Sequence, residues 1–469
     1  GRSSDSASLL GARGLCFALL AVDLVACAVP LRAQQATLDG GNGVQRGATD
    51  AGEGASAGGA ATPLGEAIAI EDASGRALQA FHAALYEAEA GQGQARIVFY
   101  GASHVASDLF TGGLRQRLQA RFGEAGPGFV LPAEPWRYYR NAGIRFEQSK
   151  GFRAIRIKER DPRADIYGLA GAALDAARGK RALGVFATRA NGGLSGQFSQ
   201  LELYFLKQPG GGHVSLRIDG GRARRVATAG KHMEPGYDSI EVSDRPHRVE
   251  LQTEGDGRVR IFGVALERDR PGVVLDTLGI PGTRARDHLY WDDAFYREHL
   301  ARRRPNLVVL SYGTNESGDD DVPIEQYEAD LRRVVKRVRE VTPEASCLLI
   351  GPSDRPLRND DGEFEPRPLT EAVIDVQRRV AGEQGCGFFD LQKFMGGPMS
   401  MLRWVAAQPP FGTQDYVHFT LLGYERLADV LYDALLAGCE ASTRDVVTRA
   451  SQVGTRRAAG AQELPRAVK

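Results

Sequence analysis

The chain has 469 residues, more than one compact core usually takes up, so two or three domains are expected. Lysine plus arginine equals aspartate plus glutamate, 59 each, which excludes a global field for nucleic acid or for an anionic membrane surface. The five cysteines form no CxxC pair or Cys/His cluster that suggests zinc and imply no disulfide framework; Cys347, in an apolar run, reads as a buried thiol.

The chain opens on a leader. Arg13 precedes apolar runs at residues 15–22 and 24–29, interrupted by Asp23 and followed by Pro30 and Ala33, the layout of a secretory signal over residues 1–33. The runs are too short for a transmembrane helix. Residues 24–27, Leu-Val-Ala-Cys, also resemble the bacterial lipobox, in which Cys27 would be lipidated and the protein tethered to a membrane; plain cleavage after Ala33 is the alternative. Either outcome puts the protein in the periplasm or outside the cell. Residues 34–63, rich in Gly, Ala, Thr and Ser, cannot bury enough apolar surface to fold and read as a flexible linker. Helical periodicity resumes over residues 64–90, with Leu78, Phe81, Leu85 and Tyr86 on one face.

Ile97, Val98, Phe99 and Tyr100 then form a continuous apolar run, as expected of a strand buried on both faces, and Gly101 permits a sharp turn where it stops. Ser103 falls at the junction with an amphipathic helix, where a side chain is exposed above the sheet edge and unpaired amides can stabilise negative charge. That suits a nucleophile, and it equally suits a helix N-cap. Residues 123–140 read as a loop whose Trp136, Tyr138 and Tyr139 could stack on a sugar ring or pin the loop to the core.

Residues 146–272 alternate like strands, and their breaks at Gly210–Gly212, Gly220–Gly221 and Asp256–Gly257 carry hairpin chemistry, so a separate antiparallel β-sandwich is expected there. From residue 273 apolar runs again alternate with helices, at 284–303, 324–341, 369–384 and 420–437. With residues 97–101 this makes an α/β fold, a doubly wound parallel sheet of five strands. The α/β part would thus comprise residues 64–145 and 273–439, with the β-sandwich inserted between them and a disordered tail at 440–469. In such sheets ligands bind beyond the carboxyl ends of the strands, which directs attention to Ser103, residues 279–282 and residues 311–316.

A serine nucleophile needs an imidazole to take its proton and a carboxylate to orient that imidazole. Among the eight histidines the candidate is His418, three residues after Asp415 in a loop before the last helix. Alone, the pair would read as a turn residue and a surface histidine. Oxyanion donors are available from the Ser103 amide, a glycine in residues 278–282 and the Asn315 side chain. Ser103 is not set in G-x-S-x-G, which argues against an α/β-hydrolase elbow.

Gly101-Ala-Ser-His, residues 279–282, Gly313-Thr-Asn-Glu and Asp415-Tyr-Val-His418 fall in the order of the four blocks of the SGNH (GDSL-like) hydrolases, which the chain resembles. Within that superfamily it is similar to the peptidoglycan O-acetylesterases, in the segments around ASDLFTGG, YGTNE, GPSDR and GFFDLQKFMGG. The resemblance implies a flavodoxin-like sheet with an inserted carbohydrate-binding-module-like sandwich. It implies that Ser103 is the nucleophile, His418 the base and Asp415 its partner, with the oxyanion held by Ser103, Asn315 and Gly282, or Gly279 in its place. It also implies no metal or organic cofactor, an acetylated polysaccharide, most simply peptidoglycan, as partner, and a monomer. The usual Gly-Asp-Ser reads Gly-Ala-Ser here, so Ala102 removes a carboxylate beside the nucleophile without removing a triad role. An O-acetyltransferase using the same residues, and a non-catalytic glycan-binding wall protein, are the alternative readings.

Overall fold

Five apolar runs become five parallel strands, Gln94–Gly101, Gly272–Gly279, Leu307–Ser311, Ser346–Ile350 and Gly387–Phe389. Across the sheet the second lies at one edge, the first beside it, then the third, fourth and fifth. Both faces are covered: Ile97, Phe99, Val309 and Leu348 enter one core, and Val98, Tyr100, Leu310 and Leu349 the other. That is why these runs show no polar alternation. The winding direction reverses at Gln94–Gly101, whose two neighbours come from later in the chain, and the reversal opens a crevice at its carboxyl end. The computed structural model describes residues 64–159 and 166–439, all within one unit spanning 61–469. The leader with Cys27, the linker and the tail at 440–469 lie outside the described residues.

Two larger antiparallel sheets are formed mainly by residues 144–267. One holds Glu234–Arg245, Phe198–Lys207, Val259–Glu267, Ala172–Ala176 and Arg153–Arg156 in that order, and the other Ile144–Lys150, Leu183–Thr188, Arg248–Thr253, His213–Ile218 and Arg224–Ala227. Gly128–Val130, within the stretch expected to be a loop, adds to the first sheet by pairing with Val259–Glu267. The aromatics of that stretch divide: Tyr139 is buried and its hydroxyl accepts from the Leu131 amide at 2.9 Å, Trp136 packs edge-on against it, and Tyr138 is 65% exposed.

Several expectations need correction. The helix expected over 64–90 occupies only Gln79–Glu89, and Tyr86 is exposed because it lies one step round the helix from the buried Leu85. The helix expected over 284–303 is broken: a 3-10 turn at Ala285–Tyr290 ends, and a new helix, Asp293–Arg303, starts where the Asp292 carboxylate caps the Phe295 amide at 3.0 Å. Cys347 is not a thiol but is joined to Cys386. The residues are 39 apart in sequence, yet the register of Leu348 opposite Gly387 brings their strands side by side. No helix among the described residues is long and apolar enough to cross a membrane.

Candidate active site

At the crevice, Gly101 ends its strand against the next helix turn, where a Cβ would come within 2.3 Å of Val105 Cγ2 and 2.9 Å of the Ser311 carbonyl oxygen. The chain therefore turns abruptly and Ser103 heads the short helix Ser103–Ala106. Its Oγ lies 2.9 Å from His418 Nε2, and His418 Nδ1 lies 2.7 Å from Asp415 Oδ2. A carboxylate only accepts, so Nδ1 carries the hydrogen and Nε2 of the neutral ring is left to accept the serine proton.

One carboxylate builds this loop. Asp415 Oδ1 accepts from the Val417 and His418 amides, each at 2.9 Å, and from the Thr413 hydroxyl at 2.6 Å, while Oδ2 holds the ring. Burial alone would raise this carboxyl, but the hydrogen bonds from the His418 amide, the Thr413 hydroxyl and the His418 ring outweigh it and hold it well below the usual carboxylate range. Tyr416, between the two, is left-handed with φ of 57°. Thr420 closes the loop by capping the Leu421–Leu436 helix at the Gly423 amide.

The opposite side is held from farther away in sequence. Asn315 Nδ2 donates one hydrogen to the Thr283 carbonyl at 2.9 Å, which leaves the second available. Buried Glu316 accepts from the Ala285 amide at 2.8 Å and the Gly313 amide at 2.9 Å, tying the Asn315 turn to the loop after Gly279. Burial pushes the Glu316 carboxyl up, against the pull of those amides. Gly282 lies in that loop with φ of 77°, a conformation that favours glycine. At Gly279 a Cβ would come within 2.3 Å of the Ala106 amide nitrogen, so glycine there lets the Ser103 helix sit directly on the strand.

Sequence reasoning did not single out His104. It is buried beside the serine, with Nδ1 3.0 Å from the Tyr424 hydroxyl and Nε2 3.1 Å from Ser353 Oγ, and Ser353 in turn bonds Thr314 Oγ1 at 3.2 Å. Burial first, then the neighbouring His418 ring, lower its pKa to about 3, partly opposed by Asp415. His104 therefore stays neutral and puts no second cation against His418. Its place after Ser103 was the available signal; its partners are too distant in sequence to foresee.

One group of possible metal ligands occurs among the described residues, His213, Glu254 and Asp256 on the β-sandwich, with ligand atoms within 4.8 Å of one another. Arg225 already pairs with both carboxylates, at 2.8 and 3.5 Å.

Residues 242–426 match the family model described as GDSL-like Lipase/Acylhydrolase family. The match takes in Asn315, Asp415 and His418 and begins after Ser103, because the inserted strands separate the serine from its partners. With the fold, the chain thus carries a GDSL-like acylhydrolase segment, the mark of an enzyme acting on acyl esters. It is similar to a solved peptidoglycan O-acetylesterase, at 26% identity and a TM-score of 0.66 over 79% of this chain and 99% of that one. An acetyl xylan esterase (20% identity, TM-score 0.27, 34% of this chain and 81% of that one) and a family two carbohydrate esterase from Cellvibrio japonicus (11% identity, TM-score 0.25, 66% and 98%) match too loosely to carry an argument. No curated protein matches the sequence significantly.

Proposed function

We propose that this hydrolase is a carbohydrate O-acetylesterase that removes the C6 O-acetyl group of N-acetylmuramic acid in peptidoglycan through an acetyl-serine intermediate. The observation that carries the reading is the unbroken hydrogen-bonded relay from Ser103 Oγ through His418 to Asp415 at the mouth of the sheet crevice. His418 takes the Ser103 proton as Oγ attacks the acetyl carbonyl. The oxyanion is received by the Ser103 amide, the Gly282 amide and Asn315 Nδ2. His418 then gives that proton to the departing sugar oxygen, leaving acetyl-Ser103; a water deprotonated by the same ring attacks the acyl carbon, and the proton returns to Ser103 Oγ as acetate leaves.

Peptidoglycan is favoured by the similarity to the peptidoglycan O-acetylesterase, which extends over nearly all of that protein, inserted strands included. A location outside the cytoplasm is supported by the Cys347–Cys386 bridge, since such bonds persist in oxidising compartments, together with the leader-like sequence of residues 1–33. The β-sandwich serves in this reading as a glycan-contacting module, and Tyr138, exposed with Arg137 over its ring at 4.7 Å, is its neighbour of the right chemistry.

The test is acetate release from O-acetylated peptidoglycan beside acetylated xylan, with wild type and Ser103→Ala. Release from peptidoglycan should dominate and fall by about 10⁴-fold or more in the variant. Unchanged esterase activity in Ser103→Ala would remove the enzymatic reading as drawn.

A further inference from the structure

Arginines crowd the turn beside Asn315, and their carboxylates do not match them. Asp319, just after that turn, pairs with Arg284 and lies 3.5 Å from Arg286. Arg355 and Arg367 have no carboxylate within ion-pair distance among the described residues. Arg355 Nη1 instead donates to the Thr314 carbonyl at 3.2 Å, the group immediately before Asn315, and Arg367 Nε donates to the Arg355 carbonyl at 3.3 Å.

The two stand at the feet of a small hairpin, Leu357–Arg358 paired with Phe364–Glu365, whose Phe364 ring rests on Tyr416 of the Asp415–His418 loop at 4.4 Å. The feet thus sit between the Asn315 turn and the His418 loop. Both guanidinium groups converge: a Cβ added to Gly318 would lie 3.2 Å from Arg355 Nη1 and 3.4 Å from Arg367 Nη1. Both side chains are only partly exposed. Partial burial, then the nearness of Arg367 and Arg284, make the Arg355 cation less favourable than usual, with Asp319 and Asp415 the opposing charges.

Three arginines withdrawn from solvent elsewhere in the protein have carboxylates of their own, Arg260 with Asp175 at 2.7 Å, Arg268 with Asp244 at 2.6 Å and Arg303 with Asp276 at 2.7 Å. Two converging, half-desolvated guanidinium groups without one repel each other, and an arriving anion would relieve that cost. A planar fork of donors suits a carboxylate best.

We propose that Arg355 and Arg367, converging beside Asn315 at the feet of the hairpin, form a subsite for a carboxylate carried by the acetylated saccharide, so that the enzyme selects acidic over neutral acetylated glycans. The proposal rests on the esterase reading and narrows its substrate class.

The experiment compares kcat/KM of the full chain on O-acetylated muropeptides bearing free carboxylates and on the same muropeptides after amidation of those carboxylates. Wild type should prefer the acidic form by tenfold or more, mainly through KM. Arg355→Gln with Arg367→Gln should abolish that preference, and Arg355→Lys should keep part of it. Equal rates for wild type on both forms, a preference that survives the double variant, or an equal loss on both forms would each overturn the proposal. Should wild type cleave 4-nitrophenyl acetate but neither muropeptide form, the peptidoglycan reading fails by itself. The same comparison on O-acetylated polygalacturonate and its amidated form then decides the subsite by the same outcomes.

Discussion

The two sides of the crevice are built by opposite means. The loop carrying Asp415 and His418 is held by contacts two and three residues apart, and its carboxylate side chain is 51% exposed. The turn carrying Asn315 is held by buried Glu316 through amides that include one 31 residues away. The difference teaches a division of labour. A group that must exchange protons with water and substrate can stand in solvent on a locally braced loop. Donors that must meet a developing charge without reorganising are better set in a dry, cross-linked frame.

The comparison can be broken most severely on the exposed side. Asp415→Asn should lower thermal stability modestly, as the charge that its loop amides favour is lost, yet cut kcat by about 10⁴-fold, because an amide no longer enforces the Nδ1–H tautomer. Steady-state acetate release and a melting curve check both halves. On the other side, Asn315→Ala should cost about 10²–10³-fold in kcat with little change in KM, the signature of a donor used only in the transition state. Glu316→Gln sharpens the contrast: its amide NH₂ would face one of two backbone N–H donors, so unfolding free energy should drop by about 1–3 kcal/mol while kcat falls less than for Asn315→Ala. Chaotrope unfolding and kinetics on one preparation separate the two effects.

The smallest effect is a matter of sign. The Asp415 carboxyl is depressed by its hydrogen bonds, so its contribution to stability is present above the unfolded value of about 3.9 and is lost as pH falls through the lower folded value. The Glu316 carboxyl is raised by burial, so its ionisation costs the fold stability at higher pH, and that cost disappears as pH falls toward the unfolded value of about 4.3. Hydrogen exchange from pH 6 to pH 3 should therefore show residues 413–418 losing protection while residues 313–317 gain it. Parallel changes in both segments would contradict the contrast.

The same contrast governs what could be read in advance. The parallel sheet was legible because its strands are buried on both faces and appear as unbroken apolar runs, and the Asp415–His418 contact because it is local. The Cys347–Cys386 bond was not, since it depends on strand register. The Leu357–Glu365 hairpin was not either, being short and charged, with Phe364 packed on Tyr416 from a distant part of the chain. His104 was not singled out, and Glu316 was read only as a member of its block, because the partners of both come from distant turns.

The insertion is usually pictured as an accessory hung on a hydrolase, but here its inner residues and one face of the parallel sheet form a single buried cluster, from Tyr100 and Leu310 through Phe129 to Phe186 and Leu251. Val259–Glu267 runs into Gly272–Gly279 with Arg303 bridging Glu267 at 2.6 Å and Asp276 at 2.7 Å across the joint. Shared packing of that kind couples the stability of the two parts. Removing the sandwich would therefore lay bare one face of the sheet that carries Ser103.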